Sequence, residues 1–307
     1  MDSQPVLSLC IPTNGAVEWV LPVLDSIYCQ SYDQSKFEVV ITDNGKGSQL
    51  GGHLKDYDYP NLRYKQTTDE GFLNLVTSLK EGRGQFCKMI NHRSIMTEGS
   101  IEKMVALVDK YKESQPMIYC VSGHINKPEI VECENMDSFI QNLSYWCSWS
   151  AGIGFWQKDI QNIDKVNLNF MFPNASLLLD IRKESEYVIW NYKYQKMADD
   201  VGKGGYDFYH TFAVVLLDLI SALRIDKRIS IATFLKFKRD LLYDYLYSFY
   251  YSDVVCPTKR TYIVQNVRES MMVYYSDLDY RKMVFWSYFR RPFAIIKHTL
   301  LKLIGKK

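Results

Sequence analysis

Leu7-Ser8-Leu9-Cys10-Ile11-Pro12-Thr13-Asn14 is the first strand-like run in the sequence, and Phe37-Glu38-Val39-Val40-Ile41-Thr42-Asp43-Asn44-Gly45 repeats its design. Each is an apolar run of strand length that stops at a turn signal. Between them Val17, Val20, Leu21, Leu24, Ile27 and Tyr28 recur at helical spacing. Pro22 either kinks that helix or marks its first turn. Working outward, Leu62-Arg63-Tyr64 reads as a short third strand and Asn74 to Lys80 as a helix closed by Gly82 and Gly84. Phe86 to Ile90 reads as a fourth strand, followed by a helix with Ile101, Met104, Val105 and Val108 on one face. Strands alternating with helices predict an α/β fold, a mainly parallel sheet covered by helices. Ligands in such sheets sit beyond the carboxyl ends of the strands, where the strand order switches. Here those ends are Pro12–Asn14, Asp43–Gly45 and Asn91–Ser94.

Beyond Met117 the pattern loosens. Met117 to Val121 reads as a strand, and Trp146 to Trp156 as an aromatic, glycine-rich one. Ala175–Met197 and Tyr206–Leu223 read as amphipathic stretches separated by Gly202-Lys203-Gly204-Gly205, and from Ile229 the chain is Tyr- and Lys-rich with a helical period. The organisation expected is a domain over 1–225 and a helical C-terminal region over 226–307. No repeat or low-complexity linker marks the division.

Composition narrows the class. The 307 residues are 47% hydrophobic and 23% charged, which excludes wholesale disorder. The net charge of +2 hides an asymmetry: 281–307 holds eight Lys/Arg and no Asp or Glu, leaving 29 basic against 35 acidic residues elsewhere. An acidic body without a recognition module argues against nucleic acid as partner. Seven scattered cysteines without a C-x-x-C pair argue against a disulfide framework or a zinc ribbon. The first residues lack a signal-peptide pattern, and the apolar stretch Thr211–Leu223, interrupted by Asp218, reads as too short to span a bilayer. In the tail, Pro292 suits the first turn of a helix to about Ile304, with Phe293, Ile296, Leu300, Leu303 and Ile304 on one face. A basic, aromatic-bearing helix of this kind predicts an anionic membrane surface as the partner of 281–307. The expected location is therefore cytoplasmic, peripheral on the inner face of the plasma membrane. Packing of this helix on its own domain or on a second subunit is the other reading, which leaves a homodimer open.

A carboxylate at a strand end, as at Asp43, can accept hydrogen bonds from a nucleobase imide or a ribose. Asp-Asn-Gly is equally an ordinary turn. The appearance of Pro12-Thr13-Asn14 and Asp43-Asn44-Gly45 at two successive strand ends favours a site. These segments, with Leu24–Tyr32 between them, resemble the N-terminal half of family 2 glycosyltransferases of the GT-A fold. Gly71 and Asn74 resemble that family's glycine-to-asparagine turn and helix, and Gly84-Gln85-Phe86-Cys87-Lys88-Met89-Ile90 its strand before the metal site. The likeness covers about residues 6–112 and is of the kind found in bacterial surface-polysaccharide assembly. It implies a nucleotide-diphosphosugar donor, foremost a UDP-sugar, inversion at the anomeric carbon, and a glycan or lipid-linked acceptor. It also implies that Pro12, Thr13, Asn14, Asp43 and Asn44 hold the nucleoside, with Gly71 and Asn74 beside them.

The sequence departs from the family where a divalent cation is expected. In place of an Asp-x-Asp cluster stands Asn91-His92-Arg93-Ser94, with no carboxylate until Glu98. Hard cations want anionic oxygen ligands, so no metal cofactor is expected, with Mg2+ or Mn2+ the alternative if Arg93 does not take the metal's place. Arg93 can offer a fixed charge and a bidentate fork to a diphosphate, with Asn91 and His92 as further donors and a protonated His92 as extra charge. Lys203 in the glycine loop can close over phosphates, or lie solvated on the surface. Where the family carries a Glu-Asp pair this chain has Phe172-Pro173-Asn174-Ala175-Ser176, which leaves Asp180 and then Asp207 as candidates for the general base. Trp149 and Trp156 suit stacking on an acceptor sugar, and core packing explains them equally well. The function expected is an inverting, metal-independent hexosyltransferase with Arg93 in the metal's place. The alternative is a catalytically inactive binding or scaffold subunit of a glycan-assembly complex.

Overall fold

The computed structural model describes residues 4–197, 201–202 and 204–303, with side chains through Arg290. The chain divides into two compact units, Met1–Ala198 and Asp199–Lys307. Residue 225, where the sequence reading divides the chain into 1–225 and 226–307, is the end of a helix inside the second unit.

The first unit contains β1 (Leu7–Thr13), α1 (Val17–Tyr28), β2 (Phe37–Asp43), α2 (Leu50–His53), β3 (Leu62–Gln66), α3 (Asn74–Glu81) and β4 (Phe86–Met89). It continues through β5 (Ser94–Met96), α4 (Ser100–Tyr111), β6 (Met117–Cys120), β7 (Ile130–Cys133), α5 (Met136–Leu143), β8 (Gly154–Trp156), α6 (Gln157–Ile160), α7 (Pro173–Asp180), β9 (Tyr187–Trp190) and β10 (Gln195–Met197). The main sheet runs β3-β2-β1-β4-β8, parallel except for β8. Its inner strands are buried along their length because both faces are covered, Ser8, Glu38 and Lys88 included. Leu7, Leu9 and Ile11 point toward Val20, Leu24 and Ile27 of α1 and Met104, Val105 and Val108 of α4. The opposite face, with Ser8 and Cys87, lies under the end of α3, where a Cβ on Gly82 would come within 2.4 Å of the Cys87 sulfur. A smaller sheet, β6-β9-β7, joins the first through the bridge between Tyr119 and Ile153, and β5 pairs antiparallel with β10.

Two expectations fail here for clear reasons. The stretch 175–197 is not one amphipathic helix: it holds the end of α7 and then β9 and β10. Tyr187-Val188-Ile189-Trp190 is buried on both faces between β6 and β7, and a continuous apolar run carries no period by which to tell strand from helix. Trp146–Trp156 is a strand only from Gly154. Before it come two 3₁₀ turns, Ser144–Ser148 and Ser150–Gly152, whose Trp146 and Trp149 carbonyls turn inward to the Tyr119 hydroxyl. Gly152 is required there, since a Cβ would meet the Tyr119 ring at 2.0 Å. Pro22 lies inside α1 and not at its first turn.

The second unit pairs β11 (Gly204–Asp207) with β12 (Thr261–Ile263) and is otherwise helical: α8 (Phe208–His210), α9 (Leu216–Ile225), α10 (Ile231–Asp240), α11 (Tyr247–Tyr250), α12 (Val267–Met272) and α13 (Asp277–Leu303). Three π-helical segments, Thr211–Val215, Leu241–Leu246 and Tyr251–Val255, lie where the rings of Phe208, Phe212, Tyr245 and Phe249 pack together. Phe208–Ile225 is helical over 18 residues with mean hydropathy 1.5, longer than the apolar stretch read from the sequence, and by length and composition it is able to cross a membrane. Half of it is buried in the unit, with Leu216, Leu217, Ile220 and Leu223 in the core, as for a core helix. The tail helix begins at Asp277 and runs through Pro292, which is therefore not at its first turn.

Candidate functional site

The strand order 3-2-1-4 places the switch point between β1 and β4, and the loops at their carboxyl ends form the candidate site. The parallel register sets Thr13 beside Asp43 and Cys10 beside Met89, so the predicted strand-end residues converge. Backbone bonds from Asn44 N to Thr13 O (3.0 Å) and from Ile90 N to Cys10 O (2.8 Å) carry the pairing into the loops. A Cβ on Gly45 would lie 2.2 Å from the Asn14 carbonyl, so only glycine permits that approach of the two loops.

Several residues expected to touch the donor are instead part of the frame. Asp43 is wholly buried: one carboxylate oxygen accepts from Gly45 N at 2.8 Å and the other from the Tyr64 hydroxyl at 2.9 Å. Burial, and then this hydrogen bond, push the Tyr64 hydroxyl up to about 12, so it stays a donor. Asn74, 3% exposed, donates to the carbonyls of Thr13 (3.0 Å) and Thr42 (2.9 Å) and accepts from the Thr67 hydroxyl. It cross-links the ends of β1 and β2 and has no donor left for a ligand. Asn44 donates to the carbonyls of Asp69 (2.9 Å) and Gly71 (3.1 Å), drawing the β3–α3 loop to the site. Gly71 has φ +51°, and Phe170 crowds the place of a Cβ at 3.2 Å. Pro12, Asn14, Asn44, Asn91, His92 and Arg93 keep accessible surface along this rim, whereas Thr13 is buried.

The Asn91-His92-Arg93 turn follows β4. The Asn91 side-chain oxygen accepts from Arg93 N at 2.9 Å, and its carbonyl from Ser94 N at 2.8 Å. His92 Nδ1 lies 2.9 Å from the Thr13 hydroxyl. Burial and the neighbouring Arg93 lower its pKa to about 4, so at neutral pH the ring is uncharged. The extra charge expected from a protonated His92 is therefore not available. The neutral ring carries one proton, on Nδ1 or Nε2 according to whether Nδ1 donates to or accepts from the Thr13 hydroxyl. The Arg93 guanidinium lies over the Trp19 ring, 4.4 Å from its centroid. An uncharged imidazole tied to a hydroxyl, an amide turned onto backbone and a guanidinium do not make a site for Mg2+ or Mn2+. Among the described residues no group of three or more His, Cys, Asp or Glu is placed to hold a metal.

The residues proposed for the acceptor side separate. Trp156 is 1% exposed, packs edge-on against Phe86 and donates its ring N–H to the Pro116 carbonyl at 2.7 Å; it is core and cannot meet an acceptor. Trp149 is half-buried, edge-on to His124 (5.3 Å) and to Trp146 (6.1 Å). Asn174, where the family places a carboxylate, is buried and donates to the Ser148 carbonyl at 3.0 Å. Asp180 ends α7, 3.4 Å from the Lys183 ammonium. Asp207 belongs to the second unit and caps α8, accepting from His210 N at 3.0 Å. Lys203 lies outside the described residues.

Two features were not anticipated. Lys88 on β4, 1% exposed, points its ammonium at the carbonyls of Met89 (2.9 Å), Ala151 and Ile153 (3.2 Å), and burial lowers its pKa to about 8. It ties the 151–153 segment to the strand that precedes the Asn91–Arg93 turn. Its signal was a lone Lys inside an apolar run. Asp69 has one carboxylate oxygen buried and without a hydrogen-bond partner among the described residues, in the loop held by Asn44. Nothing in the Thr67-Thr68-Asp69-Glu70 stretch distinguishes it from a solvated loop.

No protein-family profile matches the chain, and no curated protein sequence does. Solved structures do, and with the sheet and helical C-terminal part described above they define a GT-A-like glycosyltransferase fold. TarS of S. aureus, residues 1–349 in complex with UDP-GlcNAc, matches with a TM-score of 0.57 and 14% identity over 81% of this chain and 76% of its own. The same TarS fragment without ligand in its description matches at 0.54 and 16% identity. The mannosyltransferase PcManGT of Pyrobaculum calidifontis, in complex with GDP-Man and Mn2+, matches at 0.54 and 14% identity over 99% of this chain and 89% of its own.

Proposed function

We propose that the chain is an inverting glycosyltransferase that moves a sugar from a nucleotide-diphosphosugar, foremost a UDP-sugar, to a glycan or lipid-linked acceptor without a divalent metal. The observation that carries this reading is the guanidinium of Arg93 set over Trp19 at the switch point of the sheet. The fold's other members named above are described with UDP-GlcNAc and GDP-Man. In the reaction an acceptor hydroxyl attacks the anomeric carbon, the bond to the β-phosphate oxygen breaks, and a nucleoside diphosphate leaves. Arg93 answers the charge that develops on the departing diphosphate. The acceptor's proton needs a base. Asp180, partly exposed on α7, is the candidate in the first unit.

A second reading is favoured by Asn174. An amide whose N–H is spent on Ser148 cannot take a proton, so the chain can hold a donor or a partner enzyme without transfer. Calorimetric titration with UDP, GDP and their sugars in EDTA, on wild type and Arg93→Ala, tests the pocket. Binding that survives chelation and collapses in the variant supports the metal-free site, and binding that requires Mn2+ overturns it. Transfer by the best donor, lost in Asp180→Asn, separates enzyme from scaffold.

A further inference from the structure

We infer that the exposed aromatic stripe of α13 is a lipid-facing surface that seats the chain on an anionic bilayer. The helix turns Met283 (0% exposed) and Ser287 (4%) into the second unit. At 100° per residue the opposite side carries Leu278, Phe285 and Phe289, flanked by Trp286, and these four are 50–60% exposed. Phe285 and Phe289 stack at 5.9 Å, and Trp286 stands edge-on to both at 5.4 and 5.5 Å, so the rings form one apolar ridge. Solvent-facing helices do not gather large rings in this way.

The chemistry around the ridge selects the occupant. Lys282 is exposed beside it, and from 281 to 307 the sequence has eight Lys/Arg and no acid. The spacing of the ridge continues in the sequence through Phe293, Ile296 and Leu300. Apolar and aromatic residues with flanking cations on one side of a helix match the boundary between acyl chains and anionic headgroups. The helix would lie along that boundary and not cross it, because Asp277, Asp279, Arg281, Lys282 and Arg290 interrupt any spanning stretch. This surface does not depend on the transfer reaction proposed above.

The test is co-sedimentation of the full chain with phosphatidylcholine vesicles, with and without phosphatidylglycerol, at low and high salt. Wild type is expected in the pellet with the anionic vesicles and weakly or not at all with phosphatidylcholine alone, and added salt should weaken it. Phe285→Ser with Phe289→Ser should lower the partition coefficient about tenfold or more, and Lys282→Glu should lower it for anionic vesicles only. Circular dichroism and unchanged thermal melting establish that the variants remain folded. Absence of wild-type binding to anionic vesicles overturns the inference, as does a double-serine variant that binds like wild type. A solution dimer that the double variant dissociates, with no vesicle binding, would instead make the ridge a contact between copies.

Discussion

The Arg93 guanidinium carbon lies 4.4 Å from the centroid of the Trp19 ring, pairing the turn after β4 with the first turns of α1. The ring face attracts the cation and fixes the plane of the guanidinium, whose fork is the group that a bidentate phosphate contact uses. Trp19 thus acts as a positioning residue for Arg93. Trp19→Ala should weaken UDP binding in EDTA by roughly 1–2 kcal/mol, and Trp19→Phe by less. Uridine binding should not change. A calorimetric series over uridine, UMP and UDP checks this, and an equal loss for all three would point to a general disturbance of the loop.

His92 makes stability depend on pH. Its folded-state pKa, about 4, lies below the ordinary 6.5, so between these values the unfolded chain binds the proton more readily. This contribution to stability should be complete above about 6.5 and be lost as pH falls toward 4, with a span on the order of 3 kcal/mol. Urea midpoints measured across this window should fall in wild type and fall less in His92→Asn.

Lys88 titrates at the other end of the scale. Burial holds its pKa near 8 against the usual 10.5, so the folded chain releases this proton first as pH rises. Stability should increase through that interval, and the increase should be missing in Lys88→Met. At neutral pH the same variant takes the ammonium away from the Met89, Ala151 and Ile153 carbonyls, of which Ala151 keeps the Tyr194 hydroxyl and Ile153 keeps Met89 N, for a loss of roughly 1–3 kcal/mol. Thermal melts at pH 7 and pH 10, wild type against variant, read both effects.

Asn74→Ala should destabilise by roughly 1–3 kcal/mol, because it removes the two amide bonds that tie the Thr13 and Thr42 carbonyls together, although the Thr13 carbonyl keeps Asn44 N. Nucleotide affinity should then fall only as far as the two strand ends drift apart. A denaturation midpoint shift without a comparable loss of UDP binding at low denaturant would confirm a framing role, whereas direct contact predicts the reverse.

Asp69→Asn tests the loop that only the structure brings forward. The variant should keep the fold, since one carboxylate oxygen has no hydrogen-bond partner to lose. If this oxygen meets the ribose or base of a donor, uridine binding drops in parallel with UDP. Unchanged uridine binding would remove Asp69 from the site.

The alternation of β1, α1, β2, α3 and β4 was legible because each element has its own period or an unbroken apolar run closed by Gly, Pro or Asn. The positions of the strand ends followed from the same signals, and with them the convergence of Thr13, Asp43 and Asn91–Arg93. The second half was less legible. Tyr187–Trp190 is apolar throughout because it lies in the middle of a sheet, and only its neighbours β6 and β7 reveal this.

The sequence by itself determined an α/β domain with its strand ends at three particular turns, a cation in the turn Asn91-His92-Arg93-Ser94, and a strongly basic tail. These depend on residue type and spacing along the chain. Tertiary structure alone decided that Asp43 and Asn74 are frame, that Trp156 is core, that His92 is uncharged and that Arg93 rests on Trp19. Each of those outcomes depends on burial and on partners far away in sequence, as with Asn74 and the Thr13 carbonyl, and a side chain's type does not encode which of its hydrogen bonds the fold has already used.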